Sequence, residues 1–382
     1  VRPPCSRLPL PPTAGTTHAG PLRARAGGPL LCRAGGPHRV AAMRCRSSFV
    51  AILASAVLLH FGQVLLNRFR GEIGVLYVLL HQYTGEVPDE YAEAALAEQR
   101  VRLVTLETRS NKSVLLMPGV FGKVVYNVGA RVVALESWRV RALAYRDWLE
   151  EQAPLEPDRL VVLTDAADVV FGGCDDERLV AAYNATVAAS GGARVVFGAE
   201  FGGWPKNFTW DLYRRFEGRK AAVARAHGLA AAPYDGFVHC GLLSGYCPTQ
   251  SYEFLNAGFV MGPVSLLLKV LTLLLEELRS VSNYQLAAHR VLVKHSDDVT
   301  LDYTGSLVLN IGHFARDAVG TVIRAVPGEP GSIHNAVLQA TQCFIHGQSF
   351  SGKLHVNNIA WQLLRRGHQP EFPILDFLWR LY

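Results

Sequence analysis

The 382-residue chain has no Cys-x-x-Cys pair and no cluster of histidines with cysteines, so no segment has the ligand spacing of a structural zinc site. Acidic residues are missing altogether from residues 1–70, which carry ten arginines. The net charge of +6 therefore belongs to the N-terminal stretch, because beyond it 28 basic residues face 32 acidic ones, a balance of −4. The body of the chain has no stripe of Lys and Arg interleaved with aromatics, and nucleic-acid binding is not expected. It also shows no internal repeat and no convincing linker, so one domain over residues 71–382 is the simplest division. Apolar residues make up 49% of the chain, enough to bury a large core.

Residues 1–42 are rich in Pro, Gly, Ala and Arg without any apolar period, a composition that buries too little surface to offset its ordering entropy. They read as a disordered tail or, since the first methionine is Met43, as a product of an imprecise gene model. Within residues 43–70, Phe49 to Leu66 are eighteen mostly apolar residues with Arg44 and Arg46 before them and Arg68 and Arg70 after. The length, at the lower edge of a bilayer span, predicts a signal anchor, with a cleaved signal peptide as the rival and a buried globular helix as the third reading. Either leading reading places the rest of the chain in the secretory pathway, endoplasmic reticulum or Golgi, as a type II single-pass membrane protein held through residues 49–66 or as a secreted luminal protein. Three N-x-S/T acceptor sequences, at Asn111, Asn184 and Asn207, agree with that compartment. So does the even number of cysteines beyond residue 70: Cys174, Cys240, Cys247 and Cys343. Cys240 with Cys247 is the expected local bridge, buried free thiols being the alternative.

From Gly71 onward, short β-branched runs alternate with helical stretches, the pattern of an α/β domain with a mostly parallel sheet flanked by helices. Val75–Leu80, Val101–Leu106, Leu160–Thr164, Arg194–Phe197 and Cys343–His346 read as strands. Ser137–Gln152, Glu177–Ala189, Thr209–Ala226, Val264–Arg279 and Tyr284–Val293 read as helices.

Asp165 and Asp168 follow directly on the strand Leu160–Thr164. Ligands of open α/β sheets bind at that end of a strand. Two carboxylates three residues apart across a turn can face one crevice, where a hard divalent cation such as Mn2+ or Mg2+ relieves their repulsion and accepts diphosphate oxygens as further ligands. A capped turn with a solvated carboxylate is the alternative. Further on, two glycines flank the apolar run in Asn256-Ala257-Gly258-Phe259-Val260-Met261-Gly262, and close backbone approach at such residues suits a wall against a sugar-like ligand; an ordinary loop-to-strand transition reads equally from the residues.

In order, Thr164-Asp-Ala-Ala-Asp-Val-Val-Phe171, Ala199-Glu200 with Trp204-Pro205, Phe254 to Gly262, Gln285-Leu286, Val299 to Tyr303 and Ile345-His-Gly347 resemble the glycosyltransferase domain of procollagen lysyl hydroxylases, and more distantly the collagen galactosyltransferases. The match spans about residues 74–365. The resemblance implies a Rossmann-like glycosyltransferase A-type fold, a UDP-sugar as donor and Mn2+ held by Asp165, Asp168 and His346. It implies further that Thr164, Asp165, Asn256, Ala257 and Gly258 line the donor, and that Gly129 and Arg131 stand where the family has a glycine-rich turn and a lysine near the nucleotide. Arg131 as an exposed helix-start residue is the alternative. Asp302 is given only a supporting role.

The chain departs from the family in two places that matter for activity, one of them the glycine-asparagine after the family's histidine, which is altered here in His346-Gly347-Gln348-Ser349. The acidic run preceding the family's Gln-Leu pair is replaced by Ser280-Val281-Ser282-Asn283-Tyr284. Gln285 and Asn283 can position an acceptor, but an amide cannot take a proton, so the base is either missing or replaced by Glu253, Glu200 or Asp298. The expected function is a metal-dependent transferase moving a hexose from a UDP-sugar to a hydroxyl acceptor on a protein (hydroxylysine included) or a glycan. The alternative is a catalytically impaired relative that binds UDP and metal as an interaction module. No iron-binding His-x-Asp triad is seen, so lysyl hydroxylation is not expected.

Overall fold

The computed structural model describes residues 99–107, 125–131, 138–237 and 252–359, except 167, 206–207, 209, 231–232, 315, 327–331, 349–351, 354 and 357–358. All of them fall in the unit Arg70–Tyr382. The strand expected at Val75–Leu80, the apolar segment Phe49–Leu66, and Cys240 and Cys247 lie outside them. Among the described residues, no helix is long and apolar enough to cross a membrane.

The elements run β1 Val101–Thr105, β2 Val125–Asn127, α1 Trp138–Gln152, β3 Leu160–Thr164, β4 Val169–Phe171, α2 Asp176–Ala189, β5 Val195–Glu200, α3 Glu217–Ala226, β6 Phe254–Pro263, α4 Val264–Glu277 and α5 Tyr284–Lys294. They continue with β7 Val299–Asp302, β8 Val308–Asn310, α6 Arg316–Val322, β9 Ile323–Ala325, β10 Ile333–Asn335, β11 Ala340–Thr341 and β12 Phe344–His346. Six strands form the main sheet in the order β2-β1-β3-β6-β5-β7. All its pairings are parallel except those of β6, which runs antiparallel to both its neighbours. The result is a mixed, mostly parallel sheet flanked by helices, compatible with a Rossmann-like arrangement.

Alternation along the strands explains why both faces are covered. On β3, Val161 and Leu163 point into the layer that holds Ala142, Tyr145 and Leu149 of α1 and the apolar side chains of α4 and α5, whereas Val162 points to the opposite layer with Leu179 and Tyr183 of α2. A strand buried on both faces reads as an unbroken apolar run, which is how Leu160–Thr164 was recognisable. The stretch Thr209–Ala226 is not one helix: Trp210–Phe216 is a 3-10 turn that hands over to α3 at Glu217.

The segment Asn256–Gly262 belongs to the ten-residue strand β6, buried along its whole length. Its pairing with β5 slips between Phe197, opposite Val260, and Gly198, opposite Asn256, while Thr164 of β3 stays opposite Phe259. This irregularity leaves Ala257, Gly258 and Phe259 without partners on β5, and the Gly258 carbonyl accepts from the Asp165 N–H at the end of β3. Bulges commonly re-aim residues beside functional sites.

A second, three-stranded sheet, β4-β12-β8, lies over the face that carries α2. In its register, His346 stands opposite both Val169 and Asn310, so the residues just before β4 and at the ends of β12 and β8 meet at one edge. Asp302, at the end of β7, prepares this sheet. Its carboxylate accepts the backbone N–H groups of Thr304, Ser306, Leu307 and Val308 and the hydroxyls of Thr304 and Ser306, which shapes the turn into β8. Its role is therefore structural.

Candidate metal centre

The main sheet supplies Asp165 from the end of β3, and the small sheet supplies Asp168 and His346. The Asp165 backbone N–H donates to the Gly258 carbonyl at 2.9 Å, and that of Gly347 to the Asp168 carbonyl at 2.7 Å, fixing both segments. His346 Nε2 lies 3.8 Å from Asp165 Oδ2 and 3.7 Å from Asp168 Oδ1. One ligand atom from each of the three residues falls within 4.8 Å of the other two, a group able to hold a metal ion.

The protonation of the imidazole follows from its neighbour. Asn310 is buried and donates its amide N–H to the Ala199 carbonyl at 2.6 Å, so its Oδ1 is the atom left 2.7 Å from His346 Nδ1. Oδ1 can only accept, which places a proton on Nδ1 and turns the Nε2 lone pair toward the carboxylates. The group offers two carboxylate oxygens and one imidazole nitrogen, a donor set that would suit a hard divalent cation. A buried residue that fixes the tautomer of a liganding histidine is the usual outer support of such a site.

The outer oxygens of the aspartates have other partners. Arg141 of α1 pairs with Asp165 Oδ1, and Lys353 Nζ lies 3.3 Å from Asp168 Oδ2. Arg141 is itself buried between the rings of Tyr145 and Tyr284, 5.7 and 5.0 Å from its guanidinium carbon, and donates to the Ala257 carbonyl at 3.4 Å. Burial pushes the Asp165 carboxyl above its usual range, Arg141 pulls it back, and Asp168 pushes it up again. A cation among the inner oxygens would relieve this conflict.

Gly258 is needed for the contact. A Cβ there would stand 2.3 Å from His346 Cε1 and 2.8 Å from Asp165 Oδ2. Gly198 serves Asn310 in the same way, as its Cβ would come within 2.9 Å of the Asn310 amide nitrogen.

Beside the metal group, Glu200 closes β5 and is 3% exposed. Gln285 donates to its Oε1 at 2.6 Å and Gln348 to its Oε2 at 3.2 Å; Asn256 also bonds to it, and His313 Nε2 stands 4.0 Å away. Burial raises this carboxyl to about 7, against the lowering effect of the three amides. Of the three carboxylates expected as substitutes for the lost acidic run, Glu200 is the one turned to the site. Glu253 pairs with Lys220 at 3.4 Å. Asp298 binds Lys269 at 2.6 Å, and its carbonyl accepts from Val195 at the opposite end of β5.

The other expected site residues divide. Asn256 joins the two parts of the centre, accepting from the Gly258 N–H at 2.9 Å while bonding to Glu200. Ala257 presents its carbonyl to Arg141. Thr164 is fully buried, its hydroxyl on the Gly258 carbonyl at 3.2 Å, and acts as a strand-end support. Gln285 reaches Glu200, whereas the Asn283 side chain is engaged as the N-cap of α5, accepting from the Leu286 N–H at 2.8 Å. Gly129 packs on the backbone of Glu107, where a Cβ would meet the carbonyl oxygen at 2.3 Å. The backbone of Arg131 is in a 3-10 turn, and its side chain is outside the described residues. The cation at Asp165 is Arg141, which sequence reasoning missed along with Asn310 and Lys353. Comparison with known proteins finds no matching family model and no significant match among curated proteins, so the functional reading rests on the residues of the site.

Proposed function

We propose that the chain is a metal-dependent glycosyltransferase of the A-type fold, moving a hexose from a UDP-sugar to a hydroxyl acceptor in the secretory pathway. The observation that carries this reading is the convergence of Asp165, Asp168 and the Nε2 lone pair of His346 at the carboxyl edge of the sheet, with Arg141 and Lys353 on the outer oxygens. The ordered resemblance to the lysyl hydroxylase glycosyltransferase domain supports it, and the Cys174–Cys343 disulfide suits an oxidising lumen.

Asp165, Asp168 and His346 would hold Mn2+ or Mg2+, whose charge stabilises the leaving diphosphate. With an ion on the inner oxygens, Arg141 and Lys353 on the outer ones would stand as cations close enough to pair with phosphate oxygens, Arg141 in the bidentate manner its fork allows. Glu200 takes the proton of the acceptor hydroxyl. Its amide neighbours Gln285 and Asn256 orient the acceptor and the donor sugar, since amides position hydroxyls without exchanging protons.

A second reading is favoured by the neutral Ser280–Asn283 run: a relative that binds UDP and metal without transferring sugar. Both are tested by UDP release from UDP-glucose and UDP-galactose with Mn2+, for the wild-type chain and Asp168→Ala. Turnover lost in the variant supports the transferase. UDP and Mn2+ binding without any turnover, hydrolysis included, supports the binding module. Equal turnover in both chains overturns the site.

A further inference from the structure

Asp168 and His346 are carried by two strands of three residues each, β4 and β12, a pairing too short to be stable alone. At the site end, the ladder closes with the Gly347 N–H on the Asp168 carbonyl. At the other end, the Gly172 N–H donates to the Cys343 carbonyl at 2.7 Å, and Cys174 is disulfide-bonded to Cys343 across 169 residues of sequence. The connection Phe171-Gly172-Gly173-Cys174 is built for this return. A Cβ on Gly172 would lie 2.4 Å from the Gln342 carbonyl oxygen, and Gly173 takes a φ of +86°. His346 follows Cys343 by three residues, about 10 Å of strand, and both half-cystines are buried.

We propose that the Cys174–Cys343 disulfide positions the metal site: it locks β4 against β12 so that Asp168 and His346 face each other before the ion arrives. The inference rests on the reading of Asp165, Asp168 and His346 as metal ligands, and not on the transferase chemistry. Without the bond, part of the binding free energy of the ion is spent in ordering the ladder, and affinity falls. If the disulfide served stability alone, its loss would lower the unfolding midpoint and leave the metal affinity of the folded chain unchanged. A consequence is that the site reaches full affinity only where thiols are oxidised.

The test is Mn2+ binding, read from the EPR signal of the free aquo ion, for the oxidised chain and for a Cys174→Ala/Cys343→Ala chain shown by near-UV circular dichroism to be folded. The expected loss is roughly 10- to 100-fold, the size seen when outer supports of a metal site are removed. Equal affinities overturn the proposal and leave the metal site standing, whereas an oxidised chain that binds no Mn2+ overturns both. Should the variant not fold, reciprocity supplies the same answer from the wild type. In a glutathione buffer, reduction converts the disulfide to two thiols as two glutathione molecules become their disulfide. Its equilibrium constant, followed by alkylation of Cys174 and Cys343 and peptide mass, should then be smaller with saturating Mn2+ by that same factor. A constant indifferent to Mn2+ refutes the coupling.

Discussion

Replacing Glu200 with Gln gives the most direct test of how the site handles protons. Burial holds this carboxyl at about 7 against an ordinary 4.5, a difference worth about 3 kcal/mol between its two protonation states. Between those pH values, the folded chain keeps a proton that the unfolded chain has released. Stability contributed at this position is therefore full below about 4.5, declines as pH rises to about 7, and is level above. Gln keeps the shape and cannot ionise. The unfolding free energy of Glu200→Gln, less that of the wild type, should thus be about 3 kcal/mol more favourable to the variant at pH 8 than at pH 4.5. Urea unfolding with EDTA present, followed by tryptophan fluorescence, measures it without contributions from bound metal. The same variant should keep its affinity for Mn2+ and UDP and lose sugar transfer by about 100-fold or more, and wild-type transfer should rise as pH passes 7. A stability difference independent of pH would show that Glu200 titrates alike in the folded and unfolded chains and would remove its raised carboxyl as a ground for calling it the base.

Two further substitutions probe the metal group. Gly258→Ala puts a Cβ 2.3 Å from the His346 ring, so calorimetry should find Mn2+ binding lost or severely weakened, and an unchanged affinity would mean that β6 does not press on the ligands. Asn310→Ala removes the acceptor that keeps the proton on His346 Nδ1. Mn2+ affinity should fall roughly 10- to 100-fold, and an unchanged affinity would contradict the tautomer argument.

Much of the fold was legible because its signals are local. Leu160–Thr164 is an unbroken apolar run and forms β3 with those bounds, and Trp138–Gln152, Val264–Glu277 and Tyr284–Lys294 fall within a residue or two of the expected helices. Strand β6 was harder, since Asn256, Gly258 and Gly262 interrupt its pattern and its pairing on both sides is decided by distant strands.

The three candidate metal ligands were legible through the ordered resemblance rather than singly, because a strand-end Asp pair reads equally as a capped turn and a strand-terminal histidine as a structural residue. The sequence by itself determined the α/β alternation, the Asp165–Asp168 pair and the charge division at residue 70. Only the tertiary structure decided that Arg141 and Lys353 hold the outer oxygens, that Asn310 fixes the imidazole, and that Glu200 rather than Glu253 or Asp298 faces the site. It also joined Cys174 to Cys343. These relations depend on which strand ends lie side by side, and register between strands is set by pairing across tens to hundreds of residues, which no local pattern encodes.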